Sequence, residues 1–469
     1  MTDTAKATKV GMISLGCAKN LVDSEVMLGH LARAGCVFVQ DPAEADVILV
    51  NTCGFIEAAR EESVETILEA AELKKTGRLK RLVVAGCMVQ RYADELKNTL
   101  PEVDAFIGLD QLDRVVESAG VKPQKAVLAS DLPMLRPGAR AAGPTATAAW
   151  GPSTYLYDEH TPRSLATPAW TAYLKIAEGC DHTCAFCAIP SFRGLFRSRD
   201  VDSIRAEAEA LSQRGVREVS LIAQDSSHYG RDIGLTEGLA ALLTGLNDIE
   251  ALRWIRLHYL YPNTITQKLI DTMAALPRVV DYVDLPLQHA HPETLKRMRR
   301  GGSGETHLKL LDRFRAAMPD GALRSTFIVG FPGETEDEFA ALLEFVDAAR
   351  FDHLGVFTYS HEESTPAYTT VDDVPTEVKE SRRDRLMELQ RGIATAANEG
   401  RVGRTVEVLV EGAHAETEHL LVGRTRGQAL DVDGQVLIND GQAAAGSFVR
   451  VELTDVAGYD LVGRITGAA

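Results

Sequence analysis

Short apolar runs alternate with amphipathic segments over most of the chain, and this alternation constrains the fold more than any other feature. In residues 9–110 the apolar runs are GMISLG, ADVILVN and RLVVAG, and helix-like stretches follow them at Asn20–Ala34, Glu57–Lys74 and Gln90–Thr99. Apolar runs of this length between amphipathic helices indicate strands that are buried on both faces. This part of the chain therefore predicts an α/β domain with a parallel sheet, which we assign to residues 1–130.

A second α/β block follows at residues 172–360. Its six apolar runs are separated by helix-like segments and read YLKIAE, REVSLIA, LRWIRLH, VDYVDLPL, LRSTFIVG and HLGVFTY. Six such units predict an open or partial (β/α)6 barrel, in which the chemistry gathers at the carboxyl ends of the strands. Residues 376–398 have the pattern of a long amphipathic helix. We assign the whole central domain to residues 169–398.

The two remaining segments differ from these blocks in character. Residues 399–469 contain five short β-rich runs with turn signals between them, which predicts a small five-stranded β-barrel, a shape often used to bind a macromolecule. Residues 131–168 are rich in Pro, Gly, Ala and Thr and show no helical or strand period. Two interpretations of this segment stay open: a linker or insertion that Trp150 and the nearby tyrosines hold to a surface, and plain disorder.

Composition limits the class of protein further. The 469 residues include no apolar run of about 18 or more, which predicts no membrane-spanning helix. The first ten residues lack the apolar core of a signal peptide, so we expect a cytoplasmic protein. Seven cysteines in so long a chain do not form a disulfide scaffold, and in a reducing compartment they indicate metal ligands or small buried side chains.

The strongest motif is EGCDHTCAFCAIPSFRG, which follows the first predicted strand of the central domain and contains Cys180, Cys184 and Cys187. Clusters of the 4Fe–4S type normally take four cysteine thiolates, and no fourth cysteine lies within reach in sequence. One iron would lack a protein ligand, and chemistry at a metal requires such an open position. The alternatives are a structural zinc ion, which would need a second ligand pair at finger-like spacing, and a cluster used for electron transfer only.

A second set of cysteines is dispersed in sequence. Cys17, Cys53 and Cys87 each follow one of the three predicted strands of the first domain. Because the loops beyond the carboxyl ends of parallel strands converge on one crevice, we expect these three thiols to meet and to hold a second cluster. For any one of them, the alternative is a small buried side chain. Cys36 opens the run CVFVQ at the opposite edge, and we assign it no role.

Polar residues follow other strands of the central domain. In TFIVGFPGETEDEF, Gly330 and Gly333 would let the backbone approach a ligand closely, although a simple strand–turn–helix connection explains them equally well. Further polar side chains at strand ends, each with a hydrogen-bonded loop role as its alternative, are Gln224, Asp225, Gln288, His289 and His291. No Ser/His/Asp or paired-carboxylate pattern stands out, which suits a reaction whose difficult step belongs to a cofactor.

The CxxxCxxC loop, with Phe186 before its last cysteine, resembles that of the radical S-adenosylmethionine superfamily. The resemblance implies that S-adenosylmethionine fills the open iron of the cluster held by the loop and is the source of the radical. We expect Gly330 and Gly333 at the wall of the cofactor pocket, because they follow a later strand of the barrel whose first loop contains Cys180, and we expect Phe186 there because of its place in the cysteine loop. The predicted cofactors are therefore S-adenosylmethionine and two 4Fe–4S clusters, one for each set of three cysteines.

Over nearly the whole chain, the three-part organisation resembles the methylthiotransferases, with a TRAM-like module at residues 399–469. The resemblance implies that the second cluster handles sulfur and that S-adenosylmethionine is also the methyl donor. One branch of the family modifies an adenosine of tRNA. Another adds a methylthio group to the β-carbon of an aspartate in the twelfth protein of the small ribosomal subunit, and SLGCAKNLVDSE, LPLQHAHPETLKRMRRG and FTYSHEESTPAY resemble this branch. The segment 131–168 and the wording of HEESTPAY depart from the usual pattern.

Charge provides a separate argument about the partner. Residues 399–469 carry eleven acidic side chains against six arginines and no lysine, a net charge of −5. A tRNA-binding module should be basic, so we expect a basic ribosomal protein, alone or in the assembled subunit, and not nucleic acid, as the main substrate. A sulfur donor and a reducing partner such as a flavodoxin complete the expected partners. The tRNA-modifying branch and a non-catalytic iron–sulfur carrier remain the alternatives.

Overall fold

The computed structural model of the protein describes residues 7–75, 77–122 and 151–469. Within these residues a parallel α/β domain, a six-stranded partial barrel and a closed β-barrel follow one another, and the predicted fold class is confirmed. Trp150 and residues 131–150 of the predicted insertion lie outside the described residues. No helix among the described residues is both long and apolar enough to cross a membrane.

The first domain is a five-stranded parallel sheet in the order β2-β1-β3-β4-β5 with helices packed against it. Its elements are β1 (Lys9–Ser14), α1 (Ala18–Arg33), β2 (Val37–Phe38), β3 (Val47–Thr52), α2 (Glu57–Lys75), β4 (Arg81–Gly86), α3 (Cys87–Thr99), β5 (Ala105–Ile107) and α4 (Val115–Ser118). The three strands predicted from the apolar runs are the central ones, β1, β3 and β4. The edge strands β2 and β5 have only two and three residues, too few to show a period in sequence.

The central domain contains all six predicted strands. Its elements are β6 (Thr171–Lys175), β7 (Ala177–Glu178), α5 (Ile189–Arg193), β8 (Arg197–Ser198), α6 (Val201–Gln213), β9 (Glu218–Ile222), α7 (Gly238–Asn247), β10 (Trp254–Leu257), α8 (Gln267–Ala275), β11 (Tyr282–Gln288), α9 (Pro292–Arg297), α10 (Gly304–Ala317), β12 (Ala322–Val329), α11 (Glu336–Ala349), β13 (His353–Thr358) and α12 (Thr376–Glu399). The six parallel strands form two sheets, β6-β9-β10 and β11-β12-β13, joined through a bridge between Ile255 and Val279.

Side-chain caps fix the start of four helices in this domain, α6, α8, α10 and α11. Thr335 accepts a hydrogen bond from the Glu338 backbone N–H, and the Glu338 carboxylate accepts the N–H of Thr335, so α11 begins with a capping box. Asp200 caps α6 in a similar way. Each cap satisfies backbone donors that the first turn of a helix leaves free. At these helices the sequence thereby sets where the preceding loop ends.

The carboxy-terminal module is a closed five-stranded barrel in the order β14-β15-β16-β18-β17, as predicted. Its strands are β14 (Thr405–His414), β15 (Thr417–Thr425), β16 (Val436–Asp440), β17 (Phe448–Ala457) and β18 (Asp460–Ala468). The module docks on the amino ends of the central strands, where Arg424 pairs with Glu218 at 2.5 Å and the Tyr282 hydroxyl donates to Asp433 at 2.8 Å. The side chains of these four residues are buried, so the module closes that end of the partial barrel.

Residues 151–168 connect the first two domains by specific contacts. Arg163 is buried and pairs with Glu25 of α1 at 2.6 Å and with Glu207 of α6 at 2.7 Å. Tyr155 and Tyr157 pack against the apolar core of the first domain. In the described part of the predicted linker, the tyrosines therefore hold the chain to a surface, as one of the two interpretations expected.

Candidate active site

The loop that contains Cys180, Cys184 and Cys187 leaves the barrel at the carboxyl end of β6. The short antiparallel pair β7–β8 closes the base of the loop, and the Cys180 N–H donates to the Gly194 carbonyl at 3.0 Å. Gly179 adopts φ +82°, and a Cβ there would lie 2.0 Å from the Leu195 carbonyl oxygen. Only glycine fits this close approach, which brings both ends of the loop together.

The three thiols of this loop form a donor set suited to iron. Burial raises the pKa of Cys180 and of Cys187 to about 12, so the thiolate forms need a bound cation for stability. Across the described ranges no three His, Cys, Asp or Glu side chains converge as ligands of a single metal ion. In an iron–sulfur cubane each thiolate binds a separate iron, so its ligands need not converge on one point. Three thiols without a fourth fit such a cluster with one open iron.

Aromatic and charged side chains line the space beside this loop. His182 stacks on Tyr261 with ring centroids 3.8 Å apart, and its Nε2 lies 2.7 Å from the Asp225 carboxylate. Arg300 lies over the Tyr261 ring, 4.3 Å from its centroid. The same guanidinium group is 3.6 Å from the Cys184 Sγ. Sequence reasoning named Asp225 but missed Tyr261 and Arg300, because nothing in their local sequence distinguishes them from ordinary loop residues.

The predicted cofactor residues lie close to the cysteine loop. Phe186 packs in the apolar cluster that also contains Phe331, the residue after Gly330. The Gly330 N–H donates to Glu334 at 2.7 Å, and the Gly333 N–H donates to Asp373 at 2.7 Å. Both amides are therefore used within the protein, and contact of these three residues with a cofactor stays a prediction.

Gln224 and His289, two of the polar residues at strand ends, form hydrogen bonds within the protein. The Gln224 amide donates to Glu178 at 2.6 Å, which places it beside the cysteine loop. His289 is fully buried, and its Nδ1 accepts the His291 N–H at 3.0 Å. Burial lowers the pKa of His289 to about 3, so it is neutral, as expected of a hydrogen-bonded loop residue. Gln288 adopts φ +72° next to it, which marks a sharp turn at the end of β11.

The dispersed cysteines meet at one edge of the first sheet. Cys17 is the N-cap of α1, Cys53 follows β3, and Cys87 is the first residue of α3. A Cβ at Gly16, which has φ +86°, would lie 2.8 Å from the Cys53 Cβ, so the loops of Cys17 and Cys53 touch. Cys36 precedes β2 and lies at the opposite edge. The structure thus places the three predicted residues in one crevice and leaves Cys36 out of it.

Positive charge surrounds this second set of thiols. The Arg193 guanidinium donates to the Cys87 Sγ at 3.1 Å, although burial still raises the pKa of Cys87 to about 12. Cys17 is accessible to solvent but lies in a recess. Loss of water around the thiol acts to raise the pKa of Cys17. The positive charges of Lys19 and Arg193 outweigh this desolvation, so the pKa of Cys17 is lowered. Burial raises the pKa of Cys53. Three thiols with two nearby cations again suit an anionic iron–sulfur cluster.

A buried ion cluster joins the two sets of cysteines. Arg193, at the end of α5, pairs with Glu178 at 2.9 Å and with Asp23 of α1 at 3.0 Å. Lys175 of β6 pairs with the same two carboxylates at 2.7 and 2.6 Å. We call these four residues the interdomain ion cluster. Each charge has a partner of opposite sign, which is the condition for burying charges at low cost, and the cluster fixes one cysteine set relative to the other.

Comparison with known proteins agrees with this geometry. Residues 174–346 match the Radical SAM superfamily, residues 9–108 match an uncharacterised protein family designated UPF0004, and residues 402–466 match the TRAM domain. Among solved structures, the radical S-adenosylmethionine methyltransferase TsrM from Kitasatospora setae, with cobalamin and a [4Fe-4S] cluster bound, has a similar fold, with a TM-score of 0.51 at 15% identity over 77% of this chain and 74% of that one. The fold and the cysteine loop define a radical S-adenosylmethionine protein.

Curated relatives narrow this class. The ribosomal protein uS12 methylthiotransferase RimO of Koribacter versatilis (strain Ellin345) is 46% identical over 98% of this chain and 97% of its own length. The protein of the same name from Anaeromyxobacter sp. (strain K) is 49% identical over 98% of this chain and 93% of its own. The chain belongs to the ribosomal protein uS12 methylthiotransferase family, as its motifs predicted. Membership implies S-adenosylmethionine and 4Fe–4S clusters as cofactors.

Proposed function

We propose that this chain is a methylthiotransferase that adds a methylthio group to the β-carbon of an aspartate in ribosomal protein uS12. The observation that carries the proposal is the joining of two cysteine triplets by one buried ion cluster, in a chain whose relatives are named for this reaction. Removal of hydrogen from an unactivated β-carbon is beyond any side-chain base at neutral pH, so a radical cofactor is required.

Each part of the site has a distinct task in this proposal. Cys180, Cys184 and Cys187 would hold the cluster that binds S-adenosylmethionine, and Cys17, Cys53 and Cys87 would hold the cluster that handles sulfur. When bound, the two clusters and S-adenosylmethionine would supply the radical, the sulfur and the methyl group. The protein's own side chains position the reactants: the stack of His182, Tyr261 and Arg300 forms a rigid wall beside the first triplet.

The domain assignment follows the same division of tasks. Residues 1–130 would carry the sulfur-handling cluster, residues 169–398 the radical chemistry, and residues 399–469 the contact with a macromolecule, with residues 131–168 as a linker or insertion. A sulfur donor, a reducing partner such as a flavodoxin and a cytoplasmic location complete the proposal.

Several acidic side chains of the carboxy-terminal module are paired within the protein. Glu411 pairs with Arg424 inside the module, and Asp433 faces Arg324 of the central domain at 3.4 Å. Part of the acidic charge of residues 399–469 therefore serves docking and is not presented to a partner. The net charge of −5 alone does not describe the outer surface, and the assignment to a protein substrate rests on the relatives.

The proposal is tested by mass measurement of the products. Reconstituted enzyme is supplied with S-adenosylmethionine, sulfide and a chemical reductant, and is then given isolated uS12, small ribosomal subunits or tRNA. We expect one SCH3 group in place of a hydrogen on the protein, alone or in the subunit, and none on tRNA. Modification of tRNA alone would instead assign the chain to the tRNA-modifying branch. Absence of 5′-deoxyadenosine from every reaction would leave only the iron–sulfur carrier.

A further inference from the structure

Hydrogen bonds from backbone N–H groups reach thiols of both triplets. The loop triplet is the set Cys180, Cys184 and Cys187, and the strand-end triplet is the set Cys17, Cys53 and Cys87. In the loop triplet, the N–H of His182 donates to the Cys180 sulfur. The N–H of Ile189 donates to the Cys187 sulfur in the same way. Each donor lies two residues after its cysteine, so the turn that follows the cysteine supplies it.

The strand-end triplet repeats this arrangement at two of its cysteines. The N–H of Lys19 donates to the Cys17 sulfur. The N–H of Phe55 donates to the Cys53 sulfur, again from two residues further along the chain. Cys87 differs from both, because a side chain of the central domain donates to its sulfur. One ligand of this triplet is therefore controlled from outside the first domain.

Arg193, the last residue of α5, is the donor to Cys87. Its Nη2 lies 3.1 Å from the Cys87 Sγ, 3.0 Å from the Asp23 carboxylate and 3.2 Å from the Asn20 Oδ1. Its Nη1 pairs with Glu178 at 2.9 Å. The residue is only 3% exposed, so water does not compete for these contacts. The domain interface therefore holds a guanidinium group against one sulfur of the strand-end triplet.

The interdomain ion cluster is neutral as a whole. Its two cations, Arg193 and Lys175, balance its two carboxylates. The fields of these four charges largely cancel at a distance, because each cation lies against both anions. The hydrogen bond from Arg193 to Cys87 acts instead at a single sulfur atom. Its effect on a bound cluster therefore comes from the N–H group that points at the sulfur and does not require a net charge.

Hydrogen bonds to the ligand sulfurs are among the features that set the reduction potential of an iron–sulfur cluster. The reduced cluster carries one more negative charge than the oxidised cluster, and part of that charge lies on the sulfurs. A donor to a sulfur therefore stabilises the reduced form more than the oxidised form. Hydrogen bonds from a charged donor are stronger than those from a neutral amide, and exclusion of water strengthens them further.

We propose that Arg193 raises the reduction potential of the cluster held by the strand-end triplet, through its hydrogen bond to Cys87. The inference rests on the second cluster of the proposed function. Arg193 is a positioning residue, since it acts through a ligand of the cluster and does not touch the reacting atoms. Because Arg193 belongs to the central domain, docking of the two domains makes the sulfur-handling cluster easier to reduce.

The test measures the reduction potential of the strand-end cluster alone. The parent protein is the full-length chain with the loop triplet changed to alanine, reconstituted with iron and sulfide and titrated with reductant under electron paramagnetic resonance. Arg193→Lys keeps the positive charge, but its one nitrogen cannot replace the two that bind both carboxylates and Cys87. At the midpoint of the parent cluster we expect the ratio of reduced to oxidised cluster to fall about tenfold, a shift of about 59 mV for one electron.

Arg199→Lys in the parent protein is the matched control. Arg199 is a buried arginine of the same domain that pairs with Glu207 at 2.6 Å. Its other hydrogen bonds within the described structure go to the Lys175 carbonyl and the Ser203 hydroxyl, and none goes to a cysteine. We expect the potential of this variant to equal that of the parent protein.

A second measurement detects the hydrogen bond directly. Arginine labelled with 15N is incorporated into the parent protein, and pulsed electron paramagnetic resonance of the reduced cluster records couplings to nearby 15N nuclei. We expect a coupling in the parent protein and in Arg199→Lys, and none in Arg193→Lys.

A potential in Arg193→Lys equal to that of the parent protein overturns the inference. Absence of a 15N coupling from the parent protein also overturns it, whatever the variants show. If Arg193→Lys binds no iron, Arg193→Gln is titrated in its place, with the same expected direction and the same criterion. A parent protein that binds no cluster overturns the second cluster of the proposed function together with this inference, whereas a cluster without the shift or the coupling overturns this inference alone.

Discussion

The two cysteine triplets are built in opposite ways. Cys180, Cys184 and Cys187 lie in one loop, which a two-residue strand pair and a glycine close at its base. Cys17, Cys53 and Cys87 come from three separate loops, and they meet only because β1, β3 and β4 are adjacent and parallel. Two aromatic rings and one guanidinium group, that of Arg300, lie beside the first triplet, whereas an ammonium and a guanidinium group lie beside the second.

The two triplets therefore depend on different parts of the fold. The loop triplet depends on local geometry, so it forms wherever the loop forms. The strand-end triplet depends on the whole sheet and on Arg193, which belongs to the other domain. A defect in domain docking should therefore damage the second triplet and spare the first.

The largest expected effect separates the two triplets chemically. In Cys184→Ala we expect no 5′-deoxyadenosine and no product, because the cluster that binds S-adenosylmethionine loses a ligand. In Cys87→Ala we expect 5′-deoxyadenosine to form while uS12 stays unmodified. The measurement is quantification of 5′-deoxyadenosine together with iron and sulfide in each variant. Loss of both clusters from either single variant would contradict the independence of the triplets.

The next effect tests the dependence on docking. Arg193→Met leaves Glu178 and Asp23 with Lys175 as their one remaining buried ion-pair partner among the described residues, and we expect a loss of about 3–5 kcal/mol in unfolding free energy at the domain interface. Hydrogen exchange of α1 measures this loss, and iron analysis should show a depleted strand-end triplet. Arg385→Met, which removes an exposed pair with Glu336, is the control and should change the stability by less than about 1 kcal/mol. Equal iron loss from both triplets would refute the distinction.

Acid should weaken the barrel that carries the loop triplet. Burial lowers the pKa of His307 to about 4, and neither ring nitrogen has a hydrogen-bond partner within the described structure. The folded protein then binds fewer protons than the unfolded chain between pH 6.5 and 4. Stability from this group is complete above pH 6.5 and falls by about 3 kcal/mol as the pH drops to 4.

Hydrogen exchange of α10 as a function of pH measures this loss. In His307→Leu we expect the loss over this window to shrink, whereas His419→Leu, at an exposed position, should behave like the wild type. An unchanged pH profile in His307→Leu would show that another group is responsible.

The smallest effect separates backbone strain from the contact between two cysteine loops. Gly16→Ala and Gly215→Ala both place an alanine at positive φ, which costs about 1–2 kcal/mol. A Cβ at Gly215 meets nothing within 4 Å, whereas one at Gly16 meets Cys53. We expect similar losses of stability from strain but a lower iron content of the strand-end triplet in Gly16→Ala only. Normal iron content in that variant would mean that the crevice tolerates the shift.

The fold could be predicted from sequence because its main signals are periodic. All six barrel strands and all five strands of the carboxy-terminal module coincide with apolar runs of the sequence. The edge strands β2 and β5 were missed, since two or three residues carry no period. The meeting of the dispersed cysteines was predictable because parallel strands end at a common edge.

The charged parts of the site were not predictable in the same way. Lys175 and Asp23 are 152 residues apart in sequence, and each looks like an ordinary surface charge until the domains dock. The positive φ of Tyr259 leaves no trace in the sequence, because glycine is absent there. What the sequence lacked was the contact between domains, which only the folded chain supplies.

The docking of the carboxy-terminal module on the barrel has a mechanical consequence. Arg424 and Asp433 fill the amino end of the barrel, so a swing of the module would break the ion pair of Arg424 with Glu218 and the hydrogen bond from Tyr282 to Asp433. These buried contacts oppose such a swing and close the amino end of the barrel, whereas the cysteine loop lies at the opposite rim. Under the proposed function, a module docked in this way fixes the distance between the surface that contacts the ribosomal particle and the cysteine loop, and we expect that distance to help select the residue that is modified.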